Sequence, residues 1–205
     1  MTAAVALGHG HGHGHAPVAP AGVMAYLDGE PLSRELLDER LAGLRAGDKA
    51  CVLPRPDSRE GRQLTRWVAQ VIITEQLCAN ELRRRTDAVP ETGTKPLEVS
   101  TAIAVGSITA AALAGSEAVR RVAAVVSADV RIPAAQLAYA ADVLGEEPPA
   151  DAGVPVAGWH AELVQSARLE AFARWLNRAM HERVQLVHGL EHPGDSFQPD
   201  NLHRH

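Results

Sequence analysis

Between residues 59 and 85 apolar side chains return every third or fourth position, at Leu64, Trp67, Val68, Val71, Ile72, Leu77, Cys78 and Leu82. That is the period of a helix with a broad apolar stripe, and it predicts a long core helix. Pro54 and Pro56 mark the loop before it, and Asp57 or Ser58 supplies its N-cap. A second such pattern runs from 159 to about 187 through Val164, Phe172, Trp175, Leu176, Ala179, Met180 and Val184, with Gly189 placed to serve as C′. Near the start, the short apolar run Val23–Leu27 followed by Asp28-Gly29 reads as a strand and a tight turn. Ser33 then caps a helix with Leu36, Leu37, Leu41 and Leu44 on one side.

The middle of the chain carries shorter elements. Pro90, Gly93 and Pro96 impose a loop between 88 and 100. Residues 101–114 are almost wholly apolar and predict a buried helix, since a bilayer-crossing helix needs about twenty residues. Gly115-Ser116 separates that helix from another at 117–126. Ser127 and Pro133 mark the start of a segment that ends at Gly145, and 146–158 has the composition of a linker. The Glu146-Glu147 pair belongs to that linker.

Composition narrows the architecture. Apolar residues make up 46% of the 205-residue chain but aromatics only 3%, so Ala, Val and Leu must fill the interior, which favours helices. The expectation is a single all-α domain with a short N-terminal strand: a disordered tail at 1–21, a helical body at 22–189, and a tail at 190–205. A net charge of −5 and the lack of a basic stripe exclude a nucleic-acid partner. Arg83-Arg84-Arg85 closes a predicted helix, where cations complement its dipole. Cys51 and Cys78 form no CxxC pair and imply no disulfide framework. The opening residues lack the pattern of a secretory signal, so a cytoplasmic protein without a membrane partner is expected. Abundant Ala and Arg against only Lys49 and Lys95 point to the coding bias of a high-GC, actinobacterial genome.

Histidine carries the candidate chemistry. His9, His11, His13 and His15 alternate with glycine, and imidazoles so spaced can turn toward one transition-metal ion. At the other end, Pro193, Gly194 and Pro199 supply turns that could gather His192, Asp195 or Asp200, His203 and His205. This mixed nitrogen and oxygen set suits Zn, Cu, Ni or Fe, the alternative being a solvated acidic tail. His181 and His188 lie seven apart on the predicted last helix and share a face, although each, like His160, is more simply a surface or core residue. Trp67, Trp159 and Trp175 read as core anchors. Ser107 lacks the second glycine of GxSxG and sits in a predicted buried helix, which excludes an acyl-transfer elbow. GxGxxG, P-loop and HExxH patterns are also absent.

The stretch Ala25-Tyr26-Leu27-Asp28-Gly29-Glu30-Pro31-Leu32-Ser33 and the helix that follows to Arg45 resemble the opening of SurA-like, parvulin-type prolyl isomerases. Val126-Ser127-Ala128-Asp129-Val130-Arg131 is similar to the helix before the inserted isomerase domain of that family. Phe172-Ala173-Arg174-Trp175-Leu176 is similar to its returning helix. The resemblance spans about residues 23–188 and implies a helical chaperone domain whose last helix packs on its first elements. An isomerase domain takes roughly ninety residues, and the linker at 145–158 cannot hold one, so isomerase activity is not implied. Two functions are therefore expected as alternatives. One is a noncatalytic chaperone-like or binding protein that holds a transition metal and takes a protein or small-molecule ligand. The other is a small metal-dependent enzyme of bacterial secondary metabolism whose C-terminal tail forms the metal site.

Overall fold

The structure is a computed structural model that describes residues 22–85, 97–98, 102, 105–147 and 158–195. It is mostly helical with one small sheet. Strands β1 (Val23–Leu27) and β2 (Glu30–Ser33) form a hairpin around Asp28 (φ 53°) and Gly29 (φ 86°). Two successive positive φ values match the twist of a two-residue hairpin, which is why Asp-Gly occupies it. Helix α1 (Glu35–Ala46) follows, and Ser33 Oγ accepts the Glu35 N–H at 3.2 Å. A 3₁₀ turn (Ala50–Val52) leads to α2 (Arg59–Arg84), where Ser58 is the N-cap and accepts from Gly61 N–H at 3.0 Å. Then come α3 (Ser107–Gly115), α4 (Glu117–Val126), α5 (Ala134–Leu144), α6 (Trp159–Arg183) and β3 (Val184–Leu186). No described helix is long and apolar enough to cross a membrane.

Helix α2 is the spine. Every residue from Val68 to Thr74 is buried, so both sides of the helix carry core. On one side Leu77, Leu113, Val119, Val122, Phe172 and Leu176 join α2 to α3, α4 and α6. On the other, Met24, Leu37, Val68, Ile72, Ile73 and Leu190 join it to the hairpin, α1 and the segment after β3. Trp67 packs against both sides and is half-buried, where a fully buried anchor was expected. Its indole N–H leaves the apolar contact to donate to Ser107 Oγ at 3.0 Å.

Three expectations need correction. The all-α reading misses a three-stranded antiparallel sheet of order β2-β1-β3. The apolar stretch expected as one helix over 101–114 is interrupted at Gly106 (φ 131°): α3 starts at Ser107 beyond it, and Ala102 before it is also helical. The last helix ends at Arg183 rather than near 187: Val184 turns extended (φ −113°, ψ 125°) and pairs with β1. Gly189 (φ 93°) therefore serves a turn beyond β3, and His188 does not share a helix face with His181. Other boundaries fall where local chemistry put them: Ser116 caps α4 through the Val119 N–H at 3.4 Å, and Gly145 ends α5 in the left-handed conformation.

Candidate functional site at the junction of the two chain ends

The chain closes on itself through β3. Ala25 pairs with Leu186, Tyr26 with Gln185 and Leu27 with Val184, and the Asp28 N–H donates to the Arg183 carbonyl at 2.8 Å. The Arg183 side chain reinforces the same corner. Its Nε and Nη2 donate to the two Asp28 carboxylate oxygens at 2.9 and 2.7 Å, while Nη1 donates to Glu81 Oε2 at 2.6 Å. Arg85 Nε completes the set on Glu81 Oε1 at 2.6 Å, and Arg84 lies 3.6 Å from Asp28. Of the arginines expected merely to complement a helix dipole, Arg84 thus reaches the hairpin turn and Arg85 braces Glu81 within α2, while Arg183 fastens the end of α6 to both.

These contacts set the acid response. The hydrogen bond from Arg183, against a smaller desolvation effect, holds the Asp28 carboxyl below its ordinary value. Burial pushes Glu81 up, but hydrogen bonds from Arg85 and Arg183 together outweigh it and leave that carboxyl low as well. Because both groups bind protons more weakly folded than unfolded, their contribution is complete above the ordinary carboxylate range and is lost as pH falls below that range through the lowered folded values. Asp28→Asn tolerates the positive φ and removes the charge together with one of the two acceptor oxygens that Arg183 uses. It is expected to cost about 1 kcal/mol at pH 7. In urea melts at a series of pH values, the gap from wild type should close at low pH; a gap that is constant with pH would dissociate the network from acid sensitivity.

A polar stripe on α2 fixes the chain beyond β3. Arg66 Nε donates to the Gly189 carbonyl at 3.2 Å and Gln70 Nε2 to the Leu190 carbonyl at 2.9 Å, while Leu190 itself is buried. The next residues form two tight turns. Glu191 accepts from the Gly189 N–H at 2.8 Å and lies 3.1 Å from His188 Nδ1. His192 accepts through its carbonyl from Asp195 N–H at 2.9 Å and through Nδ1 from Gly194 N–H at 3.0 Å. With Nδ1 accepting, the neutral ring carries its proton on Nε2. A metal bound at Nδ1 would replace the Gly194 bond, whereas one bound at Nε2 would require the proton to move and that bond to break.

His192 and Asp195 are thus carried on a segment held by α2. Among the described residues no group of three or more His, Cys, Asp or Glu side chains is arranged to hold a metal. The remaining candidate ligands, His9, His11, His13, His15, Asp200, His203 and His205, lie outside the described residues. His181 is exposed on α6, His160 is buried beside Trp159, and Cys78 is buried with its thiol pushed up to about 12 by desolvation. His192 and Pro193 also border a cleft of about 360 Å³ lined by Trp67, Ser107, Thr109 and Asn177.

Residues 23–60 are similar to a family of unknown function, DUF7158. The match takes in the hairpin, α1, the 3₁₀ turn and the cap of α2, so it contains Asp28 but neither Arg183 nor any candidate ligand. No curated protein and no solved structure matches the chain. Two features of the junction escaped sequence reasoning. Arg66, Gln70 and Thr74 stand four apart and are all buried in α2, a spacing that marks one polar row within its core face and could have revealed the clamp on 189–190. Asp28, Glu81 and Arg183 carry no local signal, being joined only by the fold.

Proposed function

We propose that the protein is a noncatalytic binding protein, chaperone-like in build, that holds a transition metal between its two histidine-bearing ends. The pairing of β1 with β3 carries this reading. In that antiparallel register the start of β1 at Val23 adjoins the exit of β3 toward His188. Val23, to which His9 to His15 are joined through the sequence, thus stands near the strand that leads to His192 and Asp195. Closure of the first hairpin by a strand that continues from the last helix supports kinship with the SurA-type chaperone scaffold. Helix α5 supports a binding role, since Tyr139, Val143 and Leu144 on it are exposed.

The cleft beside His192 favours the second reading, a small metal-dependent enzyme in which the tail brings its metal over that cleft. Metal analysis of untagged protein separates the two. A holding protein is expected to carry variable, less than stoichiometric Zn, Cu, Ni or Fe that dialysis against a chelator removes. A fixed one-to-one complement of a single metal would favour the enzyme. Protein that takes up none of these ions would sink both.

A further inference from the structure

We infer that the cleft between α2, α3 and α6 binds a small uncharged molecule by an amide edge, the carbonyl oxygen at the start of α3 and the N–H on Gln70. The cleft has a volume of about 360 Å³, within the range of small-molecule sites. Ile108 of α3, Leu176 and Met180 of α6 and the Trp67 indole of α2 give it apolar lining. Trp67 and Gln70 stand three apart on α2 and share the face that borders it. The bond from the Trp67 indole to Ser107 Oγ at 3.0 Å holds the first turn of α3 against that face.

The start of α3 is rich in donors. Its N-cap is Gly106, which has no side chain to cap with, so the N–H groups of Ser107, Ile108 and Thr109 take no acceptor from the described residues. The Ser107 hydroxyl accepts the indole N–H and keeps its own proton uncommitted, as does the Thr109 hydroxyl. Such a helix start favours an oxygen with whole or partial negative charge. Gln70 decides which. It is only 4% exposed, its Nε2 is engaged with the Leu190 carbonyl at 2.9 Å, and its Oε1 receives no hydrogen bond from the described residues. A buried acceptor left without a donor is costly, and a ligand N–H would satisfy it. An ion would go uncompensated, because no Asp, Glu, Lys or Arg stands among the described residues that line the cleft. An amide supplies a carbonyl oxygen and an N–H side by side without net charge. The Asn177 side chain, also on the cleft and without a hydrogen bond among the described residues, can meet either half of it. No metal takes part, so this site stands or falls apart from the metal reading above.

Four probes of one shape test this on the full chain in the presence of a chelator: benzamide, N,N-dimethylbenzamide, benzoate and benzamidine. The readout is the indole N–H resonance of Trp67, identified among the three tryptophans by its loss in Trp67→Phe. Benzamide is expected to shift that resonance saturably at millimolar concentration, and to bind about tenfold or more tighter than each of the others. The dimethyl compound has no N–H for Gln70, and the other two carry charge. Asn177→Leu, at an exposed position, should weaken benzamide several-fold. Ser107→Asp puts a carboxylate where the helix start welcomes one, so the fold is retained; it should expel benzamide and admit benzamidine. Circular dichroism melts verify that both variants are folded. A Trp67 resonance indifferent to benzamide up to its solubility would overturn the inference. Benzoate binding as tightly would make the cleft an anion site instead, and equal binding of the dimethyl compound would remove Gln70 from recognition; either result also overturns it.

Discussion

Phe172→Ala is expected to lower the unfolding free energy by about 3–5 kcal/mol. The ring is fully buried where α6 meets α2 and α4, and it stacks on Trp175 with centroids 6.0 Å apart and planes 16° apart. Removing it deletes apolar surface and leaves a cavity among Leu, Val and Ala side chains beside Trp175. At this chain length the loss corresponds to a fall in melting temperature on the order of 10 °C. Trp67→Ala should cost less, about 2 kcal/mol, because that indole is half-buried and its N–H partner Ser107 is exposed to water. Thermal melts of the two variants check the ranking. Equal losses would place Trp67 in the core after all.

Gly61→Ala is the second large effect, and it acts through backbone rather than side chains. A Cβ at this position would stand 1.9 Å from the Arg55 carbonyl oxygen and 2.9 Å from that of Pro56. Neither atom belongs to a flexible side chain, so the loop before α2 must move away from the first turn of the helix. That movement strains the Ser58 cap, whose Oγ accepts the Gly61 N–H and donates to the Arg55 carbonyl at 2.7 Å. The expected cost is about 3 kcal/mol, the upper end of ordinary overpacking with a cap lost as well. In a helix interior the same change would ordinarily stabilise, by about 1 kcal/mol. The sign of the shift in a denaturant melt is therefore decisive: an Ala variant as stable as wild type would mean that the loop does not approach the helix there.

Local chemistry made a good part of this fold legible. The Asp28-Gly29 turn, the Ser58 and Ser116 caps and Gly145 each depend on neighbours within a few residues, and the apolar period of α2 runs unbroken from Leu64 to Leu82, about five turns. The ends of elements decided by distant partners were not legible. Val184 continues the apolar spacing of α6, yet the open edge of β1 captures Val184–Leu186 as a strand. β2 is four residues with a proline, too short for alternation to declare it. Trp67 looked like a core anchor because pattern alone cannot tell a stripe that faces one cluster from one whose edge borders a cleft. At the candidate site, sequence named His192 and Asp195, but not that Arg66 and Gln70 hold the chain leading to them.

If the two histidine-bearing ends hold a transition metal, the melting temperature of the full chain should rise when Zn²⁺ or Ni²⁺ is added. With free metal a hundredfold above its dissociation constant, binding should stabilise the fold by about 2.7 kcal/mol, a visible rise in melting temperature. Removing residues 191–205 should abolish that rise, and His192→Ala, which leaves the packed Leu190 and the rest of the tail in place, should reduce it sharply. Replacing His9, His11, His13 and His15 by alanine should reduce it only in part, because a glycine-spaced segment loses more chain entropy on binding than one already held by α2. A full chain whose melting is indifferent to these metals, or a metal response that survives removal of 191–205, would contradict the account.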